Sequence, residues 1–500
     1  MKLRSSILYS VAALAFALSL AACKSSTSVS NAWTPPAHAI TKDTVGGYQG
    51  ISGVMLADST YYMDSTIIIP AGDTLIIQHG VHVIVLNTGT TSAVGSPEFQ
   101  VFGTLICDGQ QGDPIYLTVP KNLRKYADLT NTSSNALWGG IECAGPTTAG
   151  VTNGGSGDLI LKWTHIEFAG GSSGTNDPIV GNGGTRYAVW FQNPNANFIM
   201  EDSWITGSTD DPLRVSSGKI SIFRNVVECA APTSGDFNMK SGTVGDIAYN
   251  VFIGIATNGP KLANTGGSNP ECNVNIYNNT IVTGGWRCTK SGRAGSTDIE
   301  AGARGTEYNN MIVNCRTGFR LLTGGANLAD TANTAYGYQY YYGSEDSVVA
   351  HFNSPSDGGI QVWKTGDVHG TAGQNNPMFV GYNPDQFPVT YYNKFPMAFS
   401  DQLSYPAFNL MRSMDEKGNQ RFVDVTTSFK SDFHLQPSSP AVGHAYTGTV
   451  KTNSGQTIQV PMNAVTSVKS ASNPYGADYT TLGLGKDYGA YQQDGSGNQQ

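Results

Sequence analysis

Charge is scarce in this 500-residue chain: Asp, Glu, Lys and Arg together make up 13% of it, against about 25% in typical soluble proteins. So few charges argue against a coiled coil or a long helical bundle. The hydrophobic share of 39% and the aromatic share of 10% exclude a disordered chain. The formal net charge is −8, so a basic stripe for a nucleic-acid backbone is not expected, and we predict no nucleic-acid partner.

What the chain has in excess is glycine, 60 of 500 residues, or about 12% where about 7% is usual. Glycine in excess, little charge and many aromatic residues together indicate an all-β protein. No CxxC motif or His/Cys cluster suggests zinc, and no GxSxG, Walker or dinucleotide motif stands in a suitable context.

The N-terminal sequence is typical of a signal peptide for export. Lys2 and Arg4 precede an apolar stretch that is too short for a comfortable membrane span. The stretch ends at Leu20-Ala21-Ala22-Cys23, which resembles the lipobox of bacterial lipoproteins. The resemblance implies acylation of Cys23 and a lipid anchor in the membrane, and Lys24 resembles the pattern of lipoproteins sent to the outer membrane. An ordinary cleavage site with a chance cysteine is the alternative.

Six cysteines remain after Cys23, and an exported protein is free to form disulfides. Six cysteines allow 15 pairings, and the sequence does not choose among them. The best single pair is Cys272 with Cys288, because these residues flank one segment. The alternative is that the cysteines are small buried hydrophobic residues.

Six β-rich segments recur along the middle of the chain. Their fourth residues are Thr164, Asp202, Asn225, Asn250, Asn279 and Asn310, which gives steps of 38, 23, 25, 29 and 31 residues. Hairpins with Asn turns would repeat at about 8 to 12 residues, so these steps favour coils of a solenoid with turns of variable length. In stacked coils, about 4.8 Å apart, equivalent Asn side chains can hydrogen-bond to one another and to nearby backbone.

A second set of short segments lies upstream of each bend and shows the alternation of a β-strand. One parity places apolar residues such as Val189, Leu213 and Phe237 inside. The other parity directs a polar set onto one outward sheet face: Trp190, Arg214, Asn238, Lys240, Lys261, Asp298, Glu300 and Arg320.

Several segments resemble the right-handed parallel β-helix proteins of bacterial secreted and surface type. Residues 66–81 resemble the first coil of that group, the stretch 432–441 and residues 487–491 resemble its closing segments, and the resemblance spans about 66 to 491. It implies an all-β, right-handed, single-stranded parallel β-helix. We expect a signal peptide at 1–22, lipidated Cys23 and a tether at 23–45, the β-helix at 46–330, and late coils with long insertions and a C-terminal cap at 331–500.

Related β-helix enzymes act on acidic polysaccharides along one outward sheet face. The lyases among them use a basic residue as proton acceptor and often calcium. This resemblance casts Lys240, Arg214 and Arg320 as candidate catalytic residues, and Asp298, Glu300, Asp210 and Asp211 as candidate calcium ligands. Candidate glycan-binding residues are Trp190, Asn238, Lys261 and the tyrosines Tyr338, Tyr340 and Tyr342. Each has a structural alternative: a solvated lysine, turn aspartates before Pro212, and a half-buried tyrosine strand.

Three functions fit these observations. The first is an outer-membrane-anchored lipoprotein that binds polysaccharide, the second a calcium-assisted lyase of uronate-containing glycans, and the third a structural or adhesive surface protein. The sequence determines neither the glycan nor the oligomeric state.

Overall fold

The computed structural model describes residues 38–47, 50–86, 95–120, 123, 137–144, 157–175, 177, 179, 187–208, 210–228, 237–265, 270–286, 288, 296–323, 327–353, 363–385, 432–466 and 481–500. Cys23 and the predicted leader and tether lie outside these residues, except for residues 38–45 of the tether. Among the described residues, none of the helices is long and apolar enough to cross a membrane.

Thirty-one short strands of the described chain form three sheets, and every strand pairs in parallel with its neighbours. Sheet 1 consists of β1 Ala39–Ile40, β3 Gly53–Met55, β6 Thr74–Gln78, β9 Thr104–Asp108, β12 Leu159–Lys162, β15 Asn197–Glu201, β18 Gly218–Phe223, β21 Thr243–Ala248, β24 Asn273–Tyr277, β27 Arg304–Tyr308 and β30 Ala335–Gly337. Sheet 2 consists of β2 Thr44–Val45, β4 Thr60–Met63, β7 His82–Val85, β10 Ile115–Thr118, β13 Thr164–Glu167, β16 Trp204–Thr206, β19 Val226–Glu228, β22 Val251–Ile253, β25 Thr280–Val282, β28 Met311–Val313 and β31 Tyr340–Tyr342. Sheet 3 consists of β5 Ile67–Ile69, β8 Glu98–Val101, β11 Gly140–Ala144, β14 Val189–Gln192, β17 Leu213–Val215, β20 Phe237–Met239, β23 Pro260–Ala263, β26 Asp298–Glu300 and β29 Arg320–Leu321.

From β3 onward, successive strands belong to sheets 1, 2 and 3 in turn, so neighbours within a sheet come from successive coils. The inward side chains stack along the axis: Val189, Leu213 and Phe237 face one another in register and are fully buried. Burial of each such side chain contributes about 1.5–3 kcal/mol. The predicted parallel β-helix is therefore confirmed, and it contains one continuous apolar core.

The predicted polar column is present at the turn between sheets 1 and 2. Asn225, Asn250 and Asn279 each donate from Nδ2 to Oδ1 of the next amide in the column, at 2.9 Å every time. The same Oδ1 atoms accept the backbone N–H of the preceding column residue, and Gln339 closes this series by accepting from the N–H of Asn310 at 2.9 Å. The amide column thus satisfies buried backbone groups that the turn would otherwise leave without partners.

One member of the column differs from the prediction. Ser203, rather than Asp202, occupies it, since the Ser203 N–H donates to Asn225 Oδ1 at 3.0 Å. The left-handed backbone belongs to the residue before each column residue, as in Asp202 (φ 50°), Tyr249 (φ 59°) and Asn278 (φ 50°). Hydrogen bonding along the axis, and not tolerance of positive φ, therefore accounts for the repeated asparagines.

Beyond β31 the described chain adds no further strand to the three sheets, although Val368 makes one parallel bridge to Tyr340 of sheet 2. A short helix, α1 (Asp346–His351), follows β31, and later segments form isolated bridges such as Phe379 with Leu435. Residues 441–466 and 481–500, here called the C-terminal strap, then pack back along the outer side of sheet 1 and its turn into sheet 2. Val465 packs on Ile76, Ile106, Ile160 and Ile199 there.

Hydrogen bonds fix the C-terminal strap to coils far from it in sequence. Asp246 accepts from the N–H of Met462 at 2.9 Å, and Thr466 N–H donates to Asn197 Oδ1 at 3.0 Å. At the end of the chain, Asn498 Nδ2 donates to the carbonyl of Tyr249 at 3.0 Å. Within the described residues, the strap therefore covers much of the outer face of sheet 1.

The predicted disulfide between Cys272 and Cys288 is wrong. The two thiols are buried but not bonded, as are those of Cys107, Cys143 and Cys315. Cys272 directly precedes a strand of sheet 1, whereas Cys288 follows a strand of sheet 2, so one coil holds them on different sides. Burial raises the pKa of the Cys272 thiol well above its usual value of 9.0. Cys229 lies outside the described residues.

Candidate functional site

Outward side chains of sheet 3 form one column along the helix axis, here called the sheet 3 row. Strand register aligns its members in this order: Gln100, Glu142, Trp190, Arg214, Asn238, Lys261, Asp298 and Arg320. Six of them are residues that the sequence placed on one outward face. Strand alternation is responsible, because their neighbours Val189, Leu213 and Ile299 point into the core.

One end of the sheet 3 row is a compact cluster of two cations and two carboxylates. Arg320 Nη1 lies 2.6 and 2.7 Å from the two oxygens of Asp298 and 3.0 Å from Glu300 Oε2. Lys261 Nζ lies 3.0 Å from Glu300 Oε1 and 3.7 Å from Asp298 Oδ2. Each of the four side chains is at most 7% exposed. The cluster is electrically balanced and almost inaccessible to solvent.

The ionisation of this cluster follows from burial and pairing. Burial alone would raise the pKa of Glu300, but Lys261 and Arg320 outweigh it and lower the pKa to about 2. Burial raises the pKa of Asp298, and the same two cations oppose the shift. Because these carboxylates already bind Lys261 and Arg320, the arrangement favours a structural ion-pair network over the predicted calcium site. Arg320 is bound to both carboxylates of the cluster, and this pairing disfavours its predicted catalytic role.

The middle of the sheet 3 row presents an aromatic pair beside an arginine. The Trp190 and Tyr187 rings meet edge to face at 6.1 Å, and the Arg214 guanidinium lies 4.9 Å from the centre of the Tyr187 ring. Arg214 Nη1 also donates to the Tyr187 hydroxyl at 2.9 Å, and Trp190 Nε1 donates to Ser216 Oγ at 3.3 Å. Trp190, Tyr187 and Arg214 are all half-buried, so these side chains are fixed while part of their surface faces solvent.

Asp211 and Asn238 add a buried polar pair next to the arginine. Asn238 Nδ2 donates to Asp211 Oδ2 at 2.8 Å, and Arg214 Nη1 lies 3.9 Å from the same oxygen. The other oxygens of the pair, Asp211 Oδ1 and Asn238 Oδ1, are buried without a hydrogen-bond partner among the described residues. Burial, with the charge of Asp210, raises the pKa of Asp211 to about 6. This side chain therefore changes charge under mildly acidic conditions.

Lys240, the predicted proton acceptor, directly follows strand β20 and projects from the same side as Glu300. Its Nζ donates to Thr265 Oγ1 at 2.9 Å, and the side chain is half-buried.

Asp210, a candidate calcium ligand, directly precedes Asp211 and accepts the Asp211 N–H at 2.9 Å. Asp210 thus orders a turn in the structure.

Three carboxylates that the sequence reading missed lie at the other end of the sheet 3 row. One oxygen of each of Glu98, Glu142 and Asp177 lies within 4.8 Å of the others, and all three residues are buried. Gln100 Nε2 donates to Glu98 Oε1 at 2.7 Å. Carboxylate oxygens are the ligands of hard cations such as calcium, so this set fits calcium better than Asp298 and Glu300 do. Strand alternation in β8 and β11, which directs Glu98 and Glu142 outward, is the sequence pattern that could have predicted this set.

The three tyrosines predicted to bind glycan, Tyr338, Tyr340 and Tyr342, do not form an exposed binding surface. Tyr340 and Tyr342 are fully buried, and they pair in register with Met311 and Val313 of the core. Tyr338 is half-buried, but its ring stacks on Tyr446 at 4.2 Å. Strand alternation directs Tyr340 and Tyr342 into the core, so the structural alternative is correct for these two residues. The C-terminal strap covers the ring of Tyr338 through Tyr446.

The formal charge along this face is negative. Among the described residues around the sheet 3 row, there are seven carboxyl groups and four cations. The carboxyl groups belong to Glu98, Glu142, Asp177, Asp210, Asp211, Asp298 and Glu300, and the cations to Arg214, Lys240, Lys261 and Arg320. Lys261 and Arg320 are neutralised within the buried cluster, whereas Arg214 and Lys240 are the cations of the described part of this face that lie outside it.

Comparisons of this chain with models of protein families, with curated proteins and with solved structures found no match. The three parallel sheets support the resemblance to parallel β-helix proteins. No match assigns the chain to a particular family.

Proposed function

We propose that the chain is an outer-membrane-anchored lipoprotein that binds a polysaccharide along the outward face of sheet 3, centred on Trp190, Tyr187 and Arg214. The observation that carries the proposal is the half-exposed aromatic pair held in place beside the arginine and the Asp211–Asn238 pair. Aromatic rings offer flat apolar faces for sugar rings, and the partly exposed Arg214 guanidinium can donate hydrogen bonds to sugar hydroxyls.

The geometry suits an extended ligand. Row members repeat at the strand spacing of about 4.8 Å, so a linear glycan lying along the helix axis can meet several coils. The charge balance favours a neutral or weakly charged glycan, because carboxylates outnumber cations among the described residues of this face. The lipobox-like segment ending at Cys23 supports the anchor and the outer-membrane location.

The proposal is tested with the soluble chain from residue 24 to 500 on a panel of neutral and acidic glycans. Trp190→Ala should weaken binding at least tenfold, because it removes the larger ring of the pair. The matched control is Trp163→Ala, which removes another half-buried tryptophan at the turn between sheets 1 and 2. Equal losses in both variants, or no glycan bound by the parent chain, would refute the proposal; absence of binding would favour a structural or adhesive role.

A calcium-assisted lyase is the second candidate, supported by the carboxylate set Glu98, Glu142 and Asp177 on the same face as Lys240. A lyase needs a proton acceptor and a charge-stabilising group at one uronate. Lys240 follows strand β20, three strands from β11 and Glu142, or about 14 Å at the usual spacing. This separation weighs against a shared substrate unit and ranks the lyase below the binding function.

The two functions are separated by incubating the same soluble chain with alginate, pectate and chondroitin sulfate at millimolar calcium. Unsaturated product, followed by its absorbance, would establish the lyase, and its loss in Lys240→Ala would assign the proton acceptor. Product that persists in Lys240→Ala would remove that assignment. No product with retained glycan binding is the result that the proposed function predicts.

A further inference from the structure

The first coils carry a different polar set at the turn between sheets 1 and 2. Asp58 lies between β3 and β4, His79 between β6 and β7, and Asp113 between β9 and β10. A ligand atom from each of these three side chains lies within 4.8 Å of the other two. Three successive coils therefore bring two carboxylates and one imidazole together on the edge where later coils carry the amide column.

The backbone holds this set in place. The Asp58 N–H donates to the carbonyl of His79, and the Gly80 N–H donates to the carbonyl of Asp113, both at 3.1 Å. His79 Nδ1 contacts Asp113 Oδ2 directly. Gly80 has φ +68°, and a Cβ there would lie 2.4 Å from Asp58 Oδ1 and 2.9 Å from Asp113 Oδ1. Both carboxylates thus converge over a residue that has no side chain.

We propose that Asp58, His79 and Asp113 bind a divalent transition-metal ion of the zinc type. Two carboxylates this close repel each other, and a cation between them would remove the repulsion. An imidazole nitrogen with two carboxylate oxygens is a ligand set that suits zinc, with water free to complete the coordination. Calcium and magnesium prefer oxygen ligands alone, and six or more of them.

The set is accessible to an ion from solution. The His79 side chain is 34% exposed and that of Asp113 is 23% exposed, while Asp58 is exposed. The ion would join three coils near the N-terminal end of the helix. The site is on a different edge from the sheet 3 row, so it is independent of the proposed glycan binding.

The chain offers a matched control in a second His–Asp pair. His434 Nδ1 lies 2.6 Å from Asp432 Oδ1 and the histidine is 48% exposed. No third ligand group accompanies this pair among the described residues. A metal bound by surface histidines in general would depend on His434, whereas the proposed site depends on His79.

The experiment titrates the metal-free chain of residues 24–500 with Zn²⁺ by calorimetry, and with Co²⁺ by its visible absorption. We expect one equivalent to bind, a loss of affinity of at least tenfold in His79→Ala and in the isosteric Asp58→Asn, and parent affinity in His434→Ala. Circular dichroism confirms that each variant is folded. Absence of binding by the parent chain, parent affinity in both site variants, or an equal loss in His434→Ala would overturn the proposal.

Discussion

Replacing Asn279 with alanine tests whether the amide column holds the coils together. Asn279 Oδ1 accepts from the backbone N–H of Asn250 at 3.0 Å and from its Nδ2 at 2.9 Å. Asn279 Nδ2 donates to Asn310 Oδ1 at 2.9 Å and to the carbonyls of Ile247 and Tyr277 at 3.0 and 3.1 Å. Alanine removes all of these side-chain hydrogen bonds at a fully buried position.

The expected loss follows from which groups lose a partner. The Asn250 N–H is buried and loses its acceptor, which costs about 1–3 kcal/mol. The Asn250 side chain retains its bonds to the carbonyls of Ile222 and Ala248, and Asn310 Oδ1 retains the Asn279 N–H. The remaining lost bonds contribute about 0.5–1.5 kcal/mol each. Four such bonds are lost, so the sum is about 3–9 kcal/mol. Because the two Nδ2 hydrogens of Asn279 are shared among three acceptors, we expect Asn279→Ala to lower the free energy of unfolding by about 3–5 kcal/mol, the lower part of this range.

Urea unfolding followed by circular dichroism measures this difference. The control is Asn195→Ala at an exposed turn, where the backbone N–H of residue 195 keeps its bond to Asn193 Oδ1, and its effect should be within about 0.5 kcal/mol. A loss below about 1 kcal/mol in Asn279→Ala, with an unchanged denaturant slope, would refute the role given to the column.

Three further outcomes are expected. Arg320→Met should destabilise the fold by about 3–5 kcal/mol, because it leaves a buried carboxylate uncompensated; adding Asp298→Leu should recover part of this loss in urea unfolding. Because the pKa of Asp211 is raised to about 6, its contribution to stability grows as the pH falls from about 6 to about 4, by roughly 3 kcal/mol. Asp211→Asn should remove that part of the pH slope of the urea midpoint. Deletion of residues 441–500 should expose the apolar outer face of sheet 1 and increase binding of a hydrophobic dye.

The sequence predicted the architecture because the strongest signals were periodic. Asparagine at Asn225, Asn250, Asn279 and Asn310 recurs only if equivalent turns stack, and strand alternation placed Trp190 outward without any tertiary information. The predicted column position in that coil, Asp202, was wrong by one residue. Ser203 occupies the column, and its hydroxyl accepts the backbone N–H that an asparagine accepts in later coils.

The errors arose where distant segments meet. Nothing local in the run from Tyr336 to Tyr342 shows that the C-terminal strap supplies Tyr446 as a stacking partner for Tyr338. Likewise, Asp298 and Glu300 match a calcium ligand pattern, but the register places Lys261 and Arg320 on either side of them. Glu98 and Glu142 were missed because their coils have long insertions that obscured the repeat.

The most direct test of glycan binding on sheet 3 is hydrogen exchange of the soluble chain with and without a bound glycan. We predict slower exchange in Val189–Gln192, Leu213–Val215 and Phe237–Met239, and unchanged exchange in the strands of sheets 1 and 2 on the same coils. Protection confined to another sheet or to the C-terminal strap would contradict this assignment.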